Sequence, residues 1–337
     1  MDGISLTTPP ILGADHQPLP NSIAEAAMVS LGGMDQYVLI RGADVKANPL
    51  LVMLHGGPGI SETAMWRYYN SKALEEDFTV IYWDQRGCGH SFDPSMTKEH
   101  MVVNQFLSDL DELIDYARDH CNRKKSKVVI FGHSWGSVLG PLYCRDHPEK
   151  VSLYVGCAQL GNWANSEKMT YEYTLSEAKR VNNGKIIRNL VYAGPPPHNA
   201  DGCITQRTSL AALEGDTTIL EGLKMAWIFL TVPEYSMSNL FRFYKELEFS
   251  IDATWSEVTA INLLKDVPKL EMPAIFMLGR KDNIVPTECS QEYIDTLYAP
   301  CKEIIWFEQS KHLPFVDEAQ KFNRVMKEVI KAKVLTC

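Results

Sequence analysis

The sequence predicts an α/β fold: a mostly parallel sheet flanked by helices, with a helical segment inserted over one edge. Three observations carry this. Short β-branched and aromatic runs alternate with amphipathic helical stretches along most of the chain, the pattern of a layered sheet with crossover helices. One long stretch, Gln159 to Trp255, breaks the alternation and holds no strand-like run. The 337 residues, 45% hydrophobic and 22% charged, can bury the core of one large domain with an insertion, or of two domains.

Met28 to Leu31 with Tyr37 to Ile40 reads as an antiparallel hairpin around Gly32-Gly33. Leu50 to Leu54, Phe78 to Trp83, Lys127 to Phe131, Leu153 to Cys157, Ala274 to Leu278 and Glu303 to Phe307 are continuous apolar runs bounded by Gly, Asp or polar residues, as strands covered on both faces are. Between them, Asn104 to His120 sets Phe106, Leu107, Leu110, Leu113, Ile114 and Ala117 at helical spacing. The inserted stretch is helical and aromatic, punctuated by Asn182-Asn183-Gly184 and Gly194-Pro195-Pro196-Pro197. The expected division is a core of residues 1–158 and 256–337 and a helical cap of residues 159–255.

Charge and cysteine usage narrow the function. The formal net charge is −9, and no basic run exceeds Arg123-Lys124-Lys125, so nucleic acid is not an expected partner. No apolar stretch approaches the roughly 20 residues of a membrane helix, and Met1 to Pro10 lacks the basic and apolar regions of a secretory signal. The eight cysteines are scattered, with no C-x-x-C pair and no Cys/His cluster at zinc spacing. Free, mostly buried thiols in a cytoplasmic protein are the expectation, with no metal or organic cofactor and a small molecule or short peptide as partner. The sequence sets no oligomeric state.

The strongest chemical signal is Gly132-His133-Ser134-Trp135-Gly136, a G-x-S-x-G directly after a strand and directly before a helical run. At such a turn the backbone is strained, the serine hydroxyl stands at the carboxyl end of the sheet, and the glycines avoid collision with neighbouring elements. Pro141 inside that helical run is expected to bend it or to begin a later turn. A serine hydroxyl needs an imidazole base, and the base an orienting acid. Of nine histidines, His312 is best placed, in the polar loop after the Glu303 to Phe307 strand. Asp282 follows the Ala274 to Leu278 strand in Gly279-Arg280-Lys281-Asp282; an N-cap for the helix starting near Pro286 is its ordinary alternative. His55-Gly56-Gly57-Pro58-Gly59, after the Leu50 to Leu54 strand, offers backbone N–H groups, and Gly57 and Trp135 are the expected oxyanion donors. A Gly-rich turn also suits phosphate, but neither G-x-x-x-x-G-K-[ST] nor G-x-G-x-x-G occurs.

With these motifs in place the chain resembles the α/β-hydrolase superfamily, and within it the proline iminopeptidase-like serine hydrolases. The resemblance rests on His55-Gly56-Gly57-Pro58-Gly59, Trp83-Asp84-Gln85-Arg86-Gly87-Cys88-Gly89-His90-Ser91, Gly132 to Ser137, Gly279 to Asp282 and the His312 loop, in that order. It implies an α/β-hydrolase fold with a helical cap over the active site, a Ser134, Asp282 and His312 triad, and hydrolysis of an acyl bond, amides of an N-terminal residue being the group's best-known substrates. The D-Q-R-G-x-G-x-S segment should be structural. Aminopeptidases of this group hold the substrate's ammonium with cap carboxylates and usually carry W-x-x-W-E early in the cap; this chain reads Trp163-Ala164-Asn165-Ser166-Glu167 instead. Glu234, Glu246 or Glu248 can supply a carboxylate for that role, a solvated helix face being the ordinary reading of each, and Trp227, Phe229, Tyr235, Phe241, Phe243 and Tyr244 would line an apolar acyl pocket, cap core being their ordinary reading. Two other readings stay open: an esterase or lactonase with the same triad, and a non-catalytic ligand receptor on a hydrolase scaffold.

Overall fold

A computed structural model describes residues 6–336. An eight-stranded sheet comprises β1 (Ile23–Leu31), β2 (Met34–Gly42), β3 (Leu50–Leu54), β4 (Thr79–Trp83), β5 (Val128–His133), β6 (Val151–Cys157), β7 (Ala274–Gly279) and β8 (Lys302–Phe307). Their order is β1-β2-β4-β3-β5-β6-β7-β8. The hairpin β1–β2 and its junction with β4 are antiparallel, and every later pairing is parallel. Strands β3 to β7 are buried along nearly their whole length, as continuous apolar runs require. Only β8 departs from the expected burial: it is the sheet's edge, and its first residues, Lys302 and Glu303, are exposed.

Helices α1 (Thr63–Tyr69), α2 (Ser71–Asp77), α3 (Val103–His120) and α4 (Gly136–Asp146) join the first six strands. Between β6 and β7 lie six helices and no strand, of which the first five are α5 (Trp163–Arg180), α6 (Gly184–Ala193), α7 (Ala200–Glu214), α8 (Ile219–Thr231) and α9 (Met237–Val258). Side chains of Asn162, Asn183, Asn199 and Thr218 cap the first four by accepting a backbone N–H, which satisfies donors that a helix start leaves free. Short helices α10 (Leu263–Asp266), α11 (Thr287–Thr296), α12 (Pro314–Asp317) and α13 (Ala319–Val325) follow, and the chain stays helical from α13 to Thr336.

Two apolar layers lie on the two faces of the sheet. One gathers Val52, Ile130, Phe106, Leu110, Leu139 and Phe276; the other gathers Val129, Phe131, Met53, Met277, Phe315 and Phe322. Pro141 neither ends nor restarts α4, which runs unbroken through it. A proline has no N–H to give the carbonyl four residues back; that carbonyl, Ser137 O, instead accepts from Gln159 Nε2 at 2.7 Å and Tyr154 Oη at 3.3 Å. Seven cysteines are free thiols, all buried except the half-buried Cys301; Cys337 and Met1 to Ser5 lie outside the described residues. Among the described residues no helix is long and apolar enough to cross a membrane.

Candidate active site

Ser134 has φ of +51°, a left-handed conformation that a non-glycine residue adopts only where its surroundings impose it. They do so here. Ser134 N–H donates to Cys157 O at the end of β6 (3.0 Å), and its carbonyl accepts from Ser137 N–H and Oγ (2.8 and 2.6 Å). Added methyls would lie 2.3 Å from Gly136 O at Gly132 and 2.2 Å from Leu54 O at Gly136, so only glycines let α4 press on β3 and β5.

His312 and Asp282 come from the loops after β8 and β7. His312 Nδ1 lies 2.8 Å from Asp282 Oδ2, with the aspartate side chain almost wholly buried. The other carboxylate oxygen, Oδ1, accepts the N–H groups of Ile284 and Val285, each at 2.9 Å. The aspartate therefore serves the histidine with one oxygen and its own turn with the other, and α11 begins later, after Pro286. The two loops touch at Gly279, where an added Cβ would stand 1.9 Å from Lys311 O. Gly279→Ala is accordingly expected to cost about 3 kcal/mol of stability and, by displacing the His312 loop by an ångström or so, about 100-fold in turnover. A urea melt and a steady-state assay check both, and an unaltered kcat would mean that the loops yield elsewhere.

Ser134, His312 and Asp282 line one cavity of about 480 Å³ together with Gly57. No direct hydrogen bond joins Ser134 Oγ to His312 among the described residues, and such bonds are commonly long before substrate arrives. Trp135 N–H stands at the N-terminus of α4 beside Ser134, and neither it nor Gly57 N–H donates within the protein among the described residues. Both are uncommitted donors, and Gly57 stands on the cavity wall.

The loops around the site are knotted together beneath it. His55 Nδ1–H donates to Gly56 O (2.8 Å), leaving Nε2 to accept Gln85 N–H (3.0 Å). Complete burial lowers the His55 pKa and keeps the ring neutral, as this bonding requires. Gln85 also donates from Nε2 to His55 O (3.2 Å) and accepts Trp135 Nε1–H (3.0 Å). Asp84 accepts from Thr63 Oγ1 (3.2 Å), Tyr235 Oη (2.7 Å) and His90 N–H (2.9 Å), and Arg86 binds Asp109 through two nitrogens.

His133 was legible as a motif position, but its partners were not. Its ring nitrogens lie 2.7 Å from Glu62 Oε1 and 2.9 Å from the His312 carbonyl, two acceptors that together call for both N–H groups. Burial works against the charged ring, but Glu62, its hydrogen bond, the His312 carbonyl and Asp282 outweigh it and raise the His133 pKa. The His312 segment is thus gripped at its ring by Asp282 and at its backbone by His133.

Of the cap residues expected at the substrate, Glu234, Glu246, Glu248, Trp227, Tyr235 and Phe241 do not stand on the cavity wall. Glu234 is fully buried with Arg67 (3.1 Å), and Arg67 in turn binds Glu75. Glu246 accepts Gly89 N–H (2.9 Å) and Arg242 Nε–H (3.2 Å), with burial raising its carboxyl pKa. Neither carboxylate is left to meet a ligand, and neither is a solvated helix face. Tyr235 is buried against Asp84, while α8 turns Met225, Ile228 and Phe229 inward and leaves Trp227 in solvent. Phe229, Phe243 and Tyr244 do line the cavity; Phe241 is exposed. The cap supplies instead Glu167, bound to Arg207 and Gln206, and the turn Glu214 to Asp216. That turn holds the loops that carry Asp282 and His312: Asn283 Nδ2–H donates to Glu214 (2.8 Å), and Lys311 Nζ binds Asp216 (2.8 Å). Only the acidic character of these positions was visible in the sequence, since their partners lie 69 to 97 positions away.

The chain belongs to the α/β hydrolase fold family, whose pattern matches residues 49–319. It is 34% identical over 310 residues to the "Probable aminopeptidase YbaC" of Bacillus subtilis, covering 90% of this chain and 96% of that protein. It is 25% identical to a proline iminopeptidase of Heyndrickxia coagulans, over 82% of this chain and 88% of the other. Within the family it is an enzyme of the proline iminopeptidase type. The fold also matches the proline iminopeptidase-related protein TTHA1809 of Thermus thermophilus, with a TM-score of 0.67 over 94% of this chain and 100% of that one at 18% identity.

Proposed function

We propose that the protein is a serine aminopeptidase that releases an N-terminal residue, or cleaves an aminoacyl amide, through an acyl-enzyme. His312 takes the proton of Ser134 Oγ as the oxygen attacks the carbonyl carbon, and Asp282 orients and stabilises the resulting imidazolium. Gly57 and Trp135 N–H groups bind the oxyanion, and each such donor contributes about 3 kcal/mol to transition-state stabilisation. The tetrahedral intermediate collapses as His312 gives its proton to the leaving amine. Water, deprotonated by His312, then attacks the acyl carbon and frees Ser134.

The observation that carries this reading is the convergence of a strained Ser134 (φ +51°) and a His312–Asp282 pair at 2.8 Å on one cavity wall. The named relatives support the amide class. A hydrolysis panel of prolyl and alanyl arylamides, short-chain aryl esters and a lactone tests it. Preference for arylamides bearing a free amino group is expected; turnover of the esters or lactone alone would make the protein an esterase or lactonase, and turnover of none would place its substrate outside all three classes.

A further inference from the structure

The carboxylates around the cavity are not equivalent. Glu167 gives its oxygens to Arg207 and Gln206, Glu214 to Asn283 and Lys311, and Asp216 to Lys311. Asp317 accepts Lys311 N–H at 2.9 Å, and Glu221, 3.8 Å from Lys224, is largely solvated. Glu62 differs from all of these. Its side chain is buried, Oε1 is bound to His133 at 2.7 Å, and Oε2 is buried with no hydrogen-bond partner in a residue that lines the cavity. A buried, unpaired carboxylate oxygen is costly, and a cationic donor arriving with the substrate removes that cost.

We propose that Glu62 Oε2 anchors the free α-ammonium of the substrate, the role the sequence had pointed to for Glu234 and Glu246. The inference rests on the aminopeptidase reading and adds the residue that makes the amine a requirement. Position supports it. A methyl on Gly56 would stand 2.9 Å from Glu62 Oε1 and 3.3 Å from Ser134 Cβ, so those two atoms are at most the two distances end to end apart. In an aminoacyl substrate the nitrogen sits about 2.5 Å from the carbonyl carbon by standard backbone geometry. That separation allows a carbonyl held at Ser134 Oγ to bring its ammonium within hydrogen-bonding reach of the Glu62 carboxylate. His133 occupies the other carboxylate oxygen, which leaves Oε2 as the one without a partner.

The geometry also predicts selectivity. An acyl group without the amine leaves Oε2 as unpaired as it is in the empty site, whereas sites built to bond a polar substrate group discriminate strongly against analogues that lack it. Glu62→Gln keeps an acceptor for His133 and removes the charge facing the amine.

The test compares kcat/KM for the 4-nitroanilides of L-proline and of cyclopentanecarboxylic acid, which differ in the ring nitrogen. Anything the variant costs through His133 and His312 falls on both substrates, so their ratio isolates the ammonium contact. In Glu62→Gln the preference for the prolyl substrate is expected to fall about 100-fold, as when one partner of a buried charged pair is removed. Glu62→Asp, which keeps the charge, should retain more of that preference and serves if the glutamine variant folds poorly. If the unaltered enzyme prefers the prolyl substrate and both variants keep the same ratio, Glu62 is not the anchor and the aminopeptidase reading stands. If the unaltered enzyme shows no preference, the aminopeptidase reading itself fails, and this inference with it.

Discussion

Ser134→Ala should lower kcat on every turned-over substrate by about 10,000-fold or more, because without Oγ no acyl-enzyme forms and only binding and the oxyanion donors remain. The fold should be indifferent to the change. Ser134 Oγ has no partner inside the protein among the described residues, so its removal orphans nothing, and alanine pays about the same as serine for a positive φ. A matched pair of thermal melts and a burst-phase assay separate the two quantities. Residual turnover within about tenfold of the parent would mean that another group attacks the carbonyl, and the assignment of Ser134, His312 and Asp282 would have to be abandoned.

Asp109→Ala is expected to be the most damaging single change outside the site, at about 4 kcal/mol. Its carboxylate receives Arg86 Nε–H and Nη2–H at 2.5 and 2.7 Å, Gln36 Nε2–H at 2.7 Å and Gln105 Nε2–H at 2.9 Å. The Arg86 side chain is about as buried as the carboxylate, so truncation leaves a guanidinium without its counter-charge in the interior. That is the expensive half of breaking a buried pair; the intact pair itself contributes far less net stability. Because Arg86 follows Gln85, activity should fall as well. Urea midpoints at unchanged m-value read the loss, and a change under about 1 kcal/mol would show that solvent reaches Arg86 in the variant.

Much of this molecule was legible in its sequence because the signals are local. Continuous apolar runs fixed six strands to within a residue or two, since a strand covered on both faces has no polar residues to spare. The elbow was legible because a positive φ at Ser134 and the close approach of α4 demand residues that stand side by side in the chain. What the sequence hid was partnership. Glu234 and Glu246 were read as free carboxylates because nothing near them in the chain shows Arg67 or Gly89 N–H, which meet them only in the fold. Glu62 carried a faint signal, an acid five residues beyond Gly57, but its orphaned oxygen is a property of the packed interior. Pro141 looked like a defect for the same reason: its compensation comes from Gln159 and Tyr154, on other elements.

The position of Gln85 has a consequence for descent. One side-chain amide and one backbone N–H join the glycine-rich turn at His55, the loop from Asp84 to Ser91 and the serine elbow at Trp135. Substitutions at groups that share partners are not additive: once one strand of this knot is cut, cutting a second costs less, and mending the first alone restores little. Three motifs that look independent along the chain are therefore expected to be inherited as one trait. A change at any one of them is expected to be tolerated only with changes at the others, whereas apolar cap residues on the cavity wall such as Met225 and Phe243, outside the knot, can change without touching it.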